Sequence, residues 1–272
     1  MSNLLTRTLT GVVFVLIVIG SIIWKQQIFS FVFFAVTVIG QIEFYKLIRS
    51  DHGNPNRFSG FIMGSVLYIT SALVANFYVS PYILLINFPV VFSFFIAELF
   101  SRSPNPFMDI ASTLLGVIYI ALPFSLLNFF FNPLLHVDSY YEEILLGFFS
   151  ILWISDSAAY LVGSSLGKHP LFKRISPKKT WEGSIGGLLF GLLSAYIFSL
   201  FFDLFSLQEW LIFALFIIVF STLGDLTESM LKRSIGIKDS GKILPGHGGI
   251  LDRFDGALIA IPFTFIYLLI VL

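Results

Sequence analysis

The 272-residue sequence has no cysteine, which excludes disulfides, thiolate metal sites and a cysteine nucleophile. Charge is scarce as well. Asp, Glu, Lys and Arg make up 12% of the residues, about half of what an ordinary soluble domain carries. There is no internal repeat, no low-complexity tract and no linker long enough to separate two domains. With so few charges a water-soluble particle of this size could not cover its surface. An ordinary soluble enzyme, a disordered chain and a nucleic-acid-binding domain are therefore excluded.

What is present is apolar. Hydrophobic residues account for 57% of the chain, 33 of them phenylalanine, and mean hydropathy is +0.91. A spanning helix takes about 20 apolar residues. Nine such runs are read, at 8–24, 27–47, 58–79, 81–100, 107–131, 142–163, 184–204, 208–231 and 256–272. The expected fold is all-α, a polytopic membrane protein of about nine transmembrane helices. Residues 1–140 form N-terminal helices, and 141–272 form C-terminal helices carrying a site, in one integral membrane unit. No small-residue cleavage site follows the first run, so it reads as a retained helix.

Basic residues test this count. Alternate loops are assigned to two sides, with the N-terminus on the first. Arg7, Lys46, Arg49, Arg57, Arg102, Lys168, Lys173, Arg174, Lys178, Lys179, Lys232, Arg233, Lys238, Lys242 and Arg253 all fall on the N-terminal side. Lys25 alone falls on the other. Cytoplasmic loops are enriched in Lys and Arg. The N-terminus is thus expected inside and the C-terminus outside. Glu43, Glu98, Asp156, Asp225, Asp252 and Asp255 then lie toward the cytoplasmic ends of their helices. A carboxylate inside a span costs about 2.5–3.5 kcal/mol on insertion scales, so each needs a polar cavity, a partner or a metal.

Two cytoplasmic segments hold most of the remaining polarity. In the first, Ser176-Pro177-Lys178-Lys179-Thr180-Trp181-Glu182-Gly183, Ser-Pro reads as a helix start, with Ser176 as N-cap. Lys178 and Lys179 would then sit in the first turn, where the helix dipole disfavours cations. An anion bound at that N-terminus resolves the conflict; the alternative is a plain positive-inside loop. In the second, Asp225 and Ser229 are four residues apart and share a helix face, as do Glu228 and Lys232. Asp252 and Asp255 are three apart. Pro245-Gly246-His247-Gly248-Gly249 cannot be regular helix, and its glycines let backbone N–H groups approach a ligand. Carboxylates beside a glycine-rich turn and clustered Lys and Arg suit Mg²⁺ bound to a polyphosphate. Simpler readings stay open. Asp252, Arg253 and Asp255 can neutralise one another, Glu228 can be a structural partner of Lys232, Glu43 and Glu98 can pair with Arg49 and Arg102, and His247 can be a plain loop residue. His169 reads as solvated. Asp156, with no basic residue within a turn, reads as lining a polar cavity.

The run Ser229-x2-Lys232-Arg233-x4-Lys238-Asp239-x-Gly241-x2-Leu244-Pro245-x-His247-Gly248-Gly249-x2-Asp252-Arg253-x-Asp255 resembles the motif of the phosphatidate cytidylyltransferase family. Ser176–Gly183 and Asp156-x2-Ala159-Tyr160-x2-Gly163 resemble the same family, so the likeness covers about 150–260. It implies that CTP and phosphatidate give CDP-diacylglycerol and pyrophosphate. Asp225, Asp252 and Asp255 would hold Mg²⁺, as one ion or a pair. Lys178, Lys179, Lys232, Arg233, Lys238, Lys242 and Arg253 would face the phosphates. Ser176, Thr180, Ser229, His247, Gly248 and Gly249 would add hydrogen bonds, with Asp156 beside the metal. The expected setting is a bacterial cytoplasmic membrane, with the site facing the cytosol. Gly186-Gly187 offers a small-residue surface on which helices, including those of a second copy, can pack. A CTP-dependent lipid kinase, a transporter using the buried acids and a non-catalytic scaffold are the competing classes.

Overall fold

The computed structural model describes residues 3–49, 54–133, 142–237, 240–241 and 248–272, with side chains from residue 8 onward. Nine helical segments occur among them. They are α1 (Asn3–Trp24), α2 (Gln26–Leu47), α3 (Arg57–Ala75), α4 (Pro81–Glu98), α5 (Pro106–Phe131), α6 (Glu142–Leu166), α7 (Trp181–Phe201), α8 (Leu207–Ser234) and α9 (Leu251–Val271). Each coincides with one of the apolar runs. The segments α2 to α9 are long and apolar enough to cross a membrane, while α1 carries a shorter apolar stretch, Thr8–Trp24. The exception to helix is a two-stranded antiparallel hairpin, β1 (Pro170–Phe172) with β2 (Ser176–Thr180), between α6 and α7.

Two compact units divide the chain. The first comprises Met1–Ser139 and Asp239–Arg253, the second Tyr140–Lys238 and Phe254–Leu272. The glycine-rich segment thus groups with the N-terminal helices.

In the first unit, polar side chains tie buried helices together, because hydrocarbon gives helices little hydrophobic reason to associate. The Gln26 amide donates to the carbonyls of Ala75 (3.0 Å) and Asn128 (3.3 Å). The Tyr68 hydroxyl donates to Ser30 O at 2.9 Å, and the Tyr45 hydroxyl to Thr113 O at 2.8 Å. The Tyr45 ring fits only because Gly60 and Gly116 have no side chain beside it. Helix α5 contains a π-helical turn, Val117–Ala121, just before Pro123. Proline lacks an N–H and crowds the preceding turn, and the wider turn absorbs that defect.

In the second unit, α7 lies close against α6 along a stripe of glycines four residues apart. A Cβ at Gly183 would lie 2.7 Å from Ala159 O, and one at Gly187 would lie 2.8 Å from Ser155 O. Gly186 is filled by Val162 in the same way. The Gly186-Gly187 surface is therefore occupied within the chain, by α6. Trp210, fully buried, sits over Gly147, and Phe220 stacks on Phe263 with centroids 3.7 Å apart. A full capping box, Ser206 with Glu209, starts α8.

The hairpin corrects one expectation. Ser176 does not cap a helix; Ser176–Thr180 is a strand and α7 starts at Trp181. Thr180 is the N-cap, its Oγ accepting from Gly183 N at 3.1 Å. A strand removes the conflict of two lysines in a first helical turn. Successive strand residues face opposite ways, so Lys178 and Lys179 are separated. An acid, Glu182, takes the first-turn position that the dipole favours.

Candidate active site

The second unit gathers charge around α8. Gly224 sets this up. A Cβ there would lie 2.6 Å from Asp255 O and 2.8 Å from Gly256 O, so α8 and α9 cross at backbone contact. Gly256 meets Ser221 at 3.1 Å by the same measure. The crossing brings the next residue of α8, Asp225, beside Asp255. Asp255 lies within electrostatic reach of Asp225, Glu228 and Asp156, and Asp156 within reach of Lys179 and Asp225. Three helices, α6, α8 and α9, thus each deliver carboxylate to one place, and β2 delivers an ammonium group.

The pairings are specific. Lys179 Nζ lies 2.5 Å from Asp225 Oδ2, both side chains about one-third exposed. Ser229 Oγ donates to Asp225 Oδ1 at 3.2 Å, as the i,i+4 spacing implied. Lys232 Nζ lies 2.6 Å from Glu228 Oε2, with Glu228 1% and Lys232 13% exposed. That contact is the pairing the i,i+4 spacing allowed. Asp255 Oδ1 accepts from Gly256 N at 2.7 Å. Lys178 is exposed on the opposite face of β2 from Lys179. Arg233 is exposed and donates to Ile237 O at 3.3 Å. Ser176 and Thr180 are half-buried on the hairpin, Thr180 serving as the cap.

His169 is exposed, as expected, yet bound. Its Nδ1 lies 2.5 Å from Glu182 Oε1. Glu182 Oε2 also accepts from the backbone N–H groups of Lys168 and His169, at 3.1 and 3.2 Å. This clasp fixes the hairpin against the start of α7.

The other predicted residues fall in the first unit. Asp252 Oδ2 accepts from Ser240 N (3.0 Å), Ser240 Oγ (2.9 Å) and Gly249 N (2.8 Å). Arg253 is exposed on the first turn of α9, and Gly248 adopts a left-handed φ of +83° that glycine accepts readily. Gly249 N–H is committed to Asp252. Lys238, Lys242 and His247 lie outside the described residues. Glu43 meets the backbone of Leu251, its Oε2 accepting from Leu251 N at 3.0 Å, rather than Arg49. Glu98, also buried, makes no ion pair with Arg102 among the described residues. It lines a separate cavity of about 660 Å³ with Asp109, Asn54 and Ser103, which holds none of the predicted site residues. Asp109, not singled out from the sequence, accepts from Asn54 N and Ser103 Oγ, each at 2.6 Å. Its neighbours come from loops, where no periodicity announces them.

Among the described residues no three acidic or histidine side chains are placed to ligate one ion directly. The donor chemistry nevertheless fits a hard divalent cation. Four carboxylates of the second unit face two ion-paired lysines, which leaves Asp156 and Asp255 without an ion-pair partner among the described residues. Oxygen donors with surplus negative charge are what Mg²⁺ takes, usually with water and phosphate completing the shell.

Residues 5–271 match the model of the cytidylyltransferase family. The chain belongs to that family. Among its curated relatives are proteins named phosphatidate cytidylyltransferase from three staphylococci. Those of Staphylococcus haemolyticus and Staphylococcus aureus are 42% identical over 171 residues, and that of Staphylococcus saprophyticus is 41% identical over the same length. The match takes in 62% of this chain and 63% of each relative, so the chain spans under two thirds of the curated relatives it matches.

The Glu228–Lys232 pair gives a test of structure apart from chemistry. Lys232→Ala leaves a buried carboxylate without its cation and is expected to cost about 3 kcal/mol or more. Lys232→Ala with Glu228→Gln should recover most of that loss. Thermal unfolding of the three proteins in detergent measures it, and equal stability of Lys232→Ala and the parent would show the pair to be inconsequential.

Proposed function

We propose that this cytidylyltransferase acts on phosphatidate, converting CTP and phosphatidate to CDP-diacylglycerol and pyrophosphate. The observation that carries the reading is the excess of carboxylates over ammonium groups around Asp225, together with the names of the staphylococcal relatives. In this reaction a phosphate oxygen of the lipid forms a bond to the α-phosphorus of CTP. The bond from that phosphorus to the bridging oxygen breaks, and pyrophosphate leaves. A phosphate monoester is already nucleophilic near pH 7, so the protein has mainly to position two anions and neutralise them.

The residues divide that work. Lys179, released from Asp225 as substrate enters, moves its charge to the triphosphate, and Lys178 meets the same anion from the exposed face of β2. Lys232, Arg233, Lys238, Lys242 and Arg253 add cations along the approach. Ser176, Thr180, Ser229, His247 and Gly248 provide hydrogen-bond donors, while Gly249 keeps its N–H on Asp252. Asp225, Asp252 and Asp255 would hold Mg²⁺, with Asp156 in support. When bound, the ion would screen the repulsion between the two phosphate groups and the carboxylates.

The membrane setting belongs to the same proposal. Nine crossings, with the N-terminus in the cytosol and the C-terminus outside, place fifteen of the sixteen basic residues on the cytosolic side. CTP then reaches the site from the cytosol and phosphatidate from the bilayer, in the cytoplasmic membrane of a bacterium. The bacterial relatives support that location.

The detergent-purified protein, given CTP, Mg²⁺ and phosphatidate, should release pyrophosphate and form a CDP-linked lipid. Asp225→Asn and Asp255→Asn should each lower kcat by about a thousandfold, the scale on which a fixed electrostatic contact acts. Release of CDP with a newly phosphorylated lipid would replace this reading with a kinase. For topology, a cysteine added after Leu272 should react with an impermeant maleimide on intact cells. Reaction only after the cells are opened would contradict the nine crossings.

A further inference from the structure

The glycine segment of the first unit contains a helix start with a missing part. Helix α9 begins at Leu251, and Asp252 accepts from Gly249 N–H three residues before it. This reach-back is like that of a capping-box acid but set one residue early, since Asp252 is the second helical residue and Gly249 precedes the cap. A cap completes a helix start with a side-chain oxygen that accepts from one of the first helical N–H groups. The cap position here is Ile250, whose side chain has no oxygen.

Glu43 of α2 supplies the missing oxygen. Its Oε2 accepts from the N–H of Leu251, the first helical residue, at 3.0 Å. The side chain is 2% exposed, and its second oxygen has no hydrogen-bond partner among the described residues. The surroundings are shaped to this carboxylate. A Cβ at Gly249 would lie 2.5 Å from Glu43 Oε2, and one at Gly241 would lie 2.5 Å from Glu43 Oε1. Gly241 in turn lies against Gly249, its added Cβ 3.2 Å from the Gly249 Cα. Gly241 and Gly249 therefore meet at Glu43, and Asp252 accepts from both Ser240 and Gly249. Leu251 is fully buried, with a Cβ at Gly40 of α2 falling 3.6 Å from its side chain. A negative charge at a helix N-terminus also suits the dipole.

We propose that Glu43 is a positioning residue for the transferase reaction. It caps α9 from another helix and so fixes the turn that carries Asp252 and Gly249. The inference rests on the phosphatidate cytidylyltransferase reading for its kinetic consequence, though not for its structural one. It extends the functional part of the chain to a residue of the N-terminal half, outside every motif that marks the family likeness.

Two replacements of one residue test it. Glu43→Ala removes the acceptor, whereas Glu43→Gln keeps an oxygen that can accept from Leu251 N. Glu43→Ala should lose roughly tenfold in kcat with little change in KM for CTP and should unfold at a lower temperature, and Glu43→Gln should keep most of both. An alanine variant with the kcat and unfolding temperature of the parent, or a glutamine variant no better than the alanine one in both, overturns the capping role. If the unmodified protein forms no CDP-linked lipid, the reaction reading falls, and the unfolding temperatures of the same three proteins still decide whether Glu43 caps α9.

Discussion

Every carboxylate placed among apolar helices has to be answered by something, and the polar architecture of this protein follows from how each one is answered. Transfer of charge from water into such surroundings is costly unless a cation, a hydrogen-bond donor or a metal meets it. Glu228 is answered by Lys232, Asp225 by Lys179 and Ser229, and Asp252 by Ser240 and Gly249. Asp156 and Asp255 have no ion pair among the described residues, although both sit in the same electrostatic neighbourhood. The proposed Mg²⁺ would answer those two charges.

Glycine is what allows the charges to meet. At Gly224 and Gly256 two helices touch backbone to backbone, and the residues that follow and precede them are Asp225 and Asp255. At Gly183 and Gly187, α7 closes on α6, which carries Asp156. The clasp of His169 and Glu182 holds the hairpin at the head of α7, and the hairpin delivers Lys179. The stability of the helix contacts and the construction of the charged cluster therefore depend on the same small residues. In the first unit the pattern recurs, with Gly241 and Gly249 leaving room for Glu43.

Much of this was legible along the chain, and the exceptions have physical causes. Apolar runs of spanning length located all nine helical segments, because that signal needs no knowledge of partners. The Asp225–Ser229 and Glu228–Lys232 contacts followed from helical spacing alone. Ser176-Pro177 misled, since a Ser-Pro pair suits a helix start and an edge strand equally. The choice was made by pairing with Pro170–Phe172 and by the N-cap at Thr180, four residues on. The partner of Glu43 was hidden because it is a backbone N–H 208 residues away. Its trace in the sequence is a helix start whose cap position, Ile250, has no side-chain oxygen, so that one has to come from elsewhere. The site residues Lys238, Lys242 and His247 fall outside the described residues, so their place rests on the family likeness.

The cluster around Asp225 and Asp255 is proposed as a cation site. Binding of Mn²⁺ in place of Mg²⁺, followed by electron paramagnetic resonance on the purified protein with and without CTP, tests this most directly. The account predicts saturable binding by the unmodified protein that CTP strengthens, and loss of that binding in Asp255→Asn while its unfolding temperature is retained. Equal Mn²⁺ binding by a folded Asp255→Asn protein would contradict it.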